Sequence, residues 1–266
     1  MELDADYSNV NHVKNADEYP EKWAAAGAQF RGAEQFAGRA RLNISYGDSP
    51  RQAFDLFYPA GQARALVIFV HGGYWRRFDR TDHSHFAAAL VGAGCVVGMP
   101  SYDLCPTVRL AQITQQIARA VPAIAAAVPE LPVILLGHSA GGHLVARMAQ
   151  PGLLPADLRA RITALVPISP VSDLRPLLRT SMNNDIRLDT AEALAESPAL
   201  THGSDIPTHV WVGAAELPAF VEQAQTLASA WDCPCTLDPG RHHFDVVERL
   251  EDPHSALIQM ILGHLP

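Results

Sequence analysis

Ser139 is the residue in this sequence around which chemistry can be organised. It lies in Gly137-His138-Ser139-Ala140-Gly141, a G-x-S-x-G pattern. The apolar run Val133-Ile134-Leu135-Leu136 precedes it, and the amphipathic stretch Gly142-His143-Leu144-Val145-Ala146-Arg147-Met148 follows. Strand, sharp turn and helix in that order make a nucleophile elbow, which presents a serine hydroxyl at the end of a strand. Glycines flank the serine because the turn is strained and crowded. The helix N-terminus behind it favours developing negative charge. A chance G-x-S-x-G in a loop would lack both the strand and the helix.

A serine hydroxyl is a weak nucleophile and needs a base, usually a histidine that a carboxylate orients. For an elbow serine the chain order is serine, then acid, then histidine, each just past the carboxyl end of a strand. Of the twelve histidines, His143, His202, His209, His242, His243, His254 and His264 follow Ser139. His143 lies on the elbow's own helix, His202 in a polar inserted segment, His209 inside a strand, and His254 and His264 in a terminal helix. That leaves the loop after the last strand, where His243 is the preferred base and His242 the alternative. Glu216, after the strand at 208–212, is the preferred acid; Asp173, one strand earlier, is its rival.

The tetrahedral intermediate of acyl transfer also needs N–H donors aimed at its oxyanion. Ala140, directly after the nucleophile, supplies one. The loop His71-Gly72-Gly73-Tyr74-Trp75, after the apolar run 65–70, supplies the others through Gly73 and Tyr74. His71 reads as a structural residue of that loop. Tyr74, Trp75 and Phe244 are candidates for the substrate pocket wall, with a plain core role the alternative for Trp75.

The rest of the chain must position these groups. Residues 1–40 read as an irregular arm and a helix in which Trp23, Ala26, Phe30 and Phe36 form a rough stripe. Residues 41–46 and 54–58 alternate apolar and polar around Gly47-Asp48-Ser49-Pro50, as an antiparallel edge hairpin does. From residue 65 onward, continuous apolar strands alternate with helical patterns. The architecture implied is α/β, a mostly parallel sheet with helices on both faces. The helical spacing over 109–128 predicts a helix that Pro122 kinks or splits at Val121. Residues 170–206, polar and rich in proline and aspartate, fit a small inserted lid over a site better than a core element. No internal repeat or linker interrupts 1–266, so one domain is expected.

Composition narrows the function classes. The chain has 266 residues, 48% hydrophobic and 18% charged, with a net charge of −8. Nucleic acid and anionic membrane surfaces demand basic patches, and none is present. The greasy stretch 118–136 is broken by Pro122, Pro129, Glu130 and Pro132, so it cannot span a bilayer. The acidic start Met1-Glu2-Leu3-Asp4-Ala5-Asp6 lacks a secretory signal. Cys95, Cys105, Cys233 and Cys235 make neither a disulfide scaffold nor a zinc motif. A cytoplasmic protein with reduced thiols and no metal is expected; both a monomer and a homodimer are compatible with the sequence.

His71-Gly72-Gly73-Tyr74-Trp75 together with Gly137-His138-Ser139-Ala140-Gly141-Gly142-His143-Leu144 resembles the kynurenine formamidase (arylformamidase) branch of the α/β-hydrolase fold. That branch is related to the hormone-sensitive-lipase-like esterases, whose corresponding loop usually carries a third glycine. The arm with Tyr19 and Trp23, the stretch Ser172-Asp173-Leu174-Arg175-Pro176-Leu177 and the ending His243-Phe244-Asp245-Val246-Val247-Glu248 are also similar. The resemblance implies Ser139 as nucleophile, His243 as base and Glu216 as acid, where the family more usually has aspartate. It implies a cofactor-free hydrolase of an aryl formamide such as N-formylkynurenine. The alternatives are a carboxylesterase for short acyl esters and a ligand-binding pseudo-hydrolase.

Overall fold

Eight strands form one sheet in the computed structural model, which describes every residue except His202, Ser204 and Pro266. They are β1 (Ala40–Ser45), β2 (Ala53–Phe57), β3 (Ala65–Val70), β4 (Cys95–Pro100), β5 (Val133–His138), β6 (Ile162–Ile168), β7 (Val210–Gly213) and β8 (Cys235–Asp238). Their order across the sheet is β1-β2-β4-β3-β5-β6-β7-β8. The β1–β2 and β2–β4 pairs are antiparallel and every other pair is parallel. The hairpin at the edge and the parallel body are therefore both as expected.

The central parallel strands β3 and β4 carry no polar side chain and are buried throughout because both faces are covered. Leu66, Ile68 and Val70 of β3 enter one core, and Ala65, Val67 and Phe69 enter the other. In β5, Val133 and Leu135 join the first core, Ile134 and Leu136 the second. Each of the Val, Leu, Ile and Phe side chains among them contributes roughly 1.5–3 kcal/mol by leaving water. Six helices matter for the site: α1 (Tyr19–Phe36), α2 (Ala88–Gly92), α3 (Leu110–Ala127), α4 (Ala140–Arg147), α5 (Pro218–Trp231) and α6 (Ala256–Leu262). Ile113, Leu144 and Phe220 place α3, α4 and α5 over the first face. Trp23, Leu90 and Ile258 place α1, α2 and α6 over the second.

Two expectations are corrected. The helix is not split at Val121, since α3 runs through Pro122 to Ala127. Proline inside a helix costs about 3 kcal/mol; burial of Ile113, Ile117, Val121 and Ile124 on the same helix offsets that loss. Residues 170–206 are also more than a lid. Val171, Leu174, Leu177, Ile186, Leu188, Ala193 and Ala199 of this segment are buried in the first core. Buried Glu196 fastens it by accepting from Thr114 Oγ1 at 2.6 Å and Arg147 Nε at 3.1 Å. These apolar residues fall on several short helical turns, so they leave no period in the sequence. Among the described residues of this segment, only Ser181 and Met182 line the cavity that contains Ser139.

The residues that cover the cavity come chiefly from the N-terminal arm, including Tyr7, Asn9, Ala16 and Trp23. The arm is tied down at several points. Tyr74 donates its hydroxyl to the Tyr7 carbonyl at 2.8 Å, and Gln223 Nε2 donates to the Tyr7 hydroxyl at 3.1 Å. Ser181 N–H donates to Asp4 Oδ1 at 2.6 Å.

Candidate active site

Ser139 is held at φ 56° and ψ −117°, the strained backbone that an elbow requires. The glycines around it are needed for space. A Cβ on Gly141 would lie 2.0 Å from the Val70 carbonyl oxygen, and one on Gly137 would lie 2.2 Å from that of Gly141. Strand β5 and helix α4 can therefore meet at this angle only with glycine at both positions. Ser139 N–H donates to the Ile168 carbonyl at 2.8 Å, which locks the turn against the end of β6.

Three of the candidate residues come together. The Ser139 hydroxyl is 3.0 Å from His243 Nε2, and His243 Nδ1 is 2.6 Å from Glu216 Oε2. All three are buried. Glu216 stands just past β7 and His243 in the loop after β8, so the parallel order delivers them to one end of the sheet. The other Glu216 oxygen accepts from Gly213 N–H at 2.9 Å and from the Ser169 hydroxyl. With Oε1 satisfied in this way, Oε2 is left free to orient the imidazole.

The alternatives lie elsewhere. The Asp173 carboxylate is taken by Arg175, whose Nη2 approaches to 2.6 Å. His242 Nδ1 accepts from the N–H groups of Phe244 and Asp245 at 3.2 Å, so it caps its own turn. His143 is buried with Nε2 2.7 Å from the Glu196 carbonyl, a packing role. Trp75 is fully buried against His143 with ring centroids 5.1 Å apart, and it is a core residue instead of a pocket wall. Its neighbour Tyr74 and the more distant Phe244 do line the cavity.

The loop after β3 approaches the elbow closely, since a Cβ on Gly72 would sit 3.1 Å from Ser139 Cβ. Gly73 has φ 105°, and Tyr74, Trp75 and Phe78 are also left-handed. Among the described residues none accepts a hydrogen bond from the N–H groups of Gly73, Tyr74 or Ala140. Behind the loop, Tyr102 donates its hydroxyl to the His71 carbonyl at 2.9 Å and stacks on the His71 ring at 4.4 Å. His71 is thus the structural residue expected.

Sequence reasoning missed two supports. His138, the variable position of G-x-S-x-G, places Nε2 2.9 Å from the His243 carbonyl and packs its ring 4.8 Å from that of His243. Ser169 holds the Glu216 carboxylate as described. Neither residue carries a local signal, because each acts on a partner brought close only by the fold.

Burial keeps several histidines neutral. His71 and His143 are pushed down to about 3 and His83 to about 4, each chiefly by burial. An unfolded histidine takes up its proton near pH 6.5. Below that pH the unfolded chain binds more protons than the folded one, so stability falls with falling pH. The loss begins near 6.5 and levels off near 4 for His83 and near 3 for the other two. At pH 5.5 each contributes a loss of roughly 1 kcal/mol. The urea midpoint is therefore expected to drop steadily from pH 6.5 to 4.5; a flat profile would contradict neutral burial of this set.

The site opens on a cavity of about 840 Å³ that contains Ser139 and His243 in its lining, a size that suits a small-molecule ligand. Sheet, elbow and cavity define the class of the protein, and residues 67–229 match the family model described as alpha/beta hydrolase fold. The chain belongs to this family and is a hydrolase of its arylformamidase-like group. It is 30% identical to kynurenine formamidase of Drosophila melanogaster, over 93% of this chain and 91% of that one. Kynurenine formamidase of Salmo salar is 28% identical over 96% and 92%. A crystal structure from Silicibacter sp. tm1040, of a protein that carries a provisional thioesterase name, is 51% identical with a TM-score of 0.95, covering 98% and 99% of the two chains. Esterase B of Lactobacillus rhamnosis shares the fold, with a TM-score of 0.69 at 23% identity over 93% and 94%. No helix among the described residues is long and apolar enough to cross a membrane.

Proposed function

We propose that this protein is a serine hydrolase of aryl formamides such as N-formylkynurenine. The observation that carries the reading is the hydrogen-bonded chain from the Ser139 hydroxyl through His243 to Glu216, whose first two members line the cavity. Ser139 Oγ attacks the formyl carbon while His243 Nε2 takes its proton. Glu216 holds the imidazole in the tautomer that has Nε2 free and stabilises the imidazolium that forms. The carbonyl oxygen becomes an oxyanion that accepts from the N–H groups of Gly73, Tyr74 and Ala140, each donor being worth ~10²–10³ in turnover. His243 returns the proton to the departing aryl amine, and the C–N bond breaks. Water, deprotonated by His243, then cleaves the formyl ester on Ser139, releasing formate and the free hydroxyl.

The aryl formamide is favoured by the two kynurenine formamidase relatives, which align over nearly the whole chain. The same groups would cleave a short acyl ester or thioester, and the provisional name of the 51% identical protein favours that second reading. The comparison that decides is kcat/KM for N-formylkynurenine, p-nitrophenyl acetate and an acetyl thioester on one preparation. N-formylkynurenine is expected to be preferred; a much higher value for the ester or the thioester would overturn the assignment.

A further inference from the structure

The lining of the cavity that holds Ser139 also carries polar groups that the hydrolytic mechanism does not use. Asn9 of the arm is 4% exposed, yet neither its Oδ1 nor its Nδ2 has a hydrogen-bond partner among the described residues. It lines the cavity. A buried amide left wholly unpaired is costly, and such a group in a native protein calls for a ligand or water to satisfy it. Its two atoms are complementary to a group that both donates and accepts.

Four charged aspartate and arginine side chains line the same cavity: Asp4, Asp17, Arg76 and Arg77. Two are satisfied within the protein, Asp4 by the Met1 amino group and Arg76 by Asp185 at 2.5 Å. The side chains of Asp17 and Arg77 make no ion pair among the described residues; the Arg77 guanidinium lies 5.3 Å from the Phe78 ring centre. One acid and one base therefore remain, on the arm and on the loop after β3.

We infer that this wall is a subsite for the α-amino acid end of the substrate, with Arg77 receiving its carboxylate and Asp17 its ammonium group, while Asn9 donates through Nδ2 to the carboxylate or accepts at Oδ1 from the ammonium group. The inference deepens the proposed function and rests on it for the aryl carbonyl that Ser139 attacks. Two exposed charges of opposite sign and an unpaired amide in one lining suit a zwitterion better than a plain acyl or aryl group. A bare aryl ester would leave all three unused. Guanidinium and carboxylate also match in shape, forming two parallel hydrogen bonds.

The test uses the full chain and two substrate pairs. N-formylkynurenine is compared with formanilide, and O-acetyltyrosine with phenyl acetate; only the first of each pair carries the amino acid end. The readout is the ratio of kcat/KM within a pair, which cancels any loss of folded enzyme. The wild type should favour the amino-acid-bearing member in both pairs by about tenfold or more, and Arg77→Met or Asn9→Leu should each lower that ratio by about tenfold. No preference in the wild type, or ratios unmoved in both variants, would overturn the subsite. If neither formamide is cleaved but the ester pair keeps its preference and its sensitivity to Arg77→Met, the formamidase reading falls and the subsite stands.

Discussion

Ser139→Ala is expected to lower turnover by up to ~10⁶-fold, with the fold intact. Alanine keeps the Cβ, so the backbone at φ 56° experiences the same crowding as before and the buried elbow loses one hydroxyl. What disappears is the atom 3.0 Å from His243 Nε2. The imidazole has no proton to take, and no covalent intermediate can form. The residual rate should come from the oxyanion donors and binding alone, roughly 10³–10⁴ over water. Active-site titration with an irreversible acylating or phosphonylating reagent should show no labelled protein. A variant that retained wild-type turnover would remove Ser139 as nucleophile and, with it, the hydrolytic reading of this cavity.

Glu216→Gln should cost nearly as much, on the order of 10⁴-fold, because it changes the imidazole's tautomer. Glutamine has the size of glutamate and can keep its carbonyl oxygen toward the Gly213 N–H and the Ser169 hydroxyl. Its amide nitrogen then faces His243 Nδ1 where the carboxylate oxygen stood at 2.6 Å. Two donors cannot share that position, so Nδ1 must accept, and the ring proton moves to Nε2. A protonated Nε2 cannot deprotonate Ser139. Asp173→Asn, made in parallel, should leave turnover within a few-fold of wild type, since it weakens only the pairing with partly exposed Arg175. If the asparagine variant were the inactive one and the glutamine variant active, Glu216 would not be the orienting acid.

Much of the site is legible because its residues sit in stretches with strong local rules. A G-x-S-x-G between an apolar run and an amphipathic one specifies strand, turn and helix. The glycines at 137 and 141 are dictated by the 2.0–2.2 Å approaches that a side chain would suffer. The order serine, acid, histidine, combined with placement after strands, narrows the acid to Glu216 or Asp173 and the base to His243 or His242. The continuous apolar strands announce a sheet covered on both sides, since a polar residue at any of those positions would lose its water.

What the sequence determined by itself was therefore the elbow, the parallel sheet and the short list of titratable groups at the carboxyl ends of its strands. Tertiary structure decided which members of that list meet. Arg175 occupies Asp173, the turn at 242–245 occupies His242, and the core takes Trp75, leaving Glu216 and His243 to Ser139. It also assigned supports that no pattern marks: His138 beneath His243, Ser169 behind Glu216, and the N-terminal arm over the cavity. The reason is physical. Propensity and periodicity act over a few residues of chain, whereas these contacts join positions 47 to more than 100 residues apart and exist only once the sheet has closed the distance.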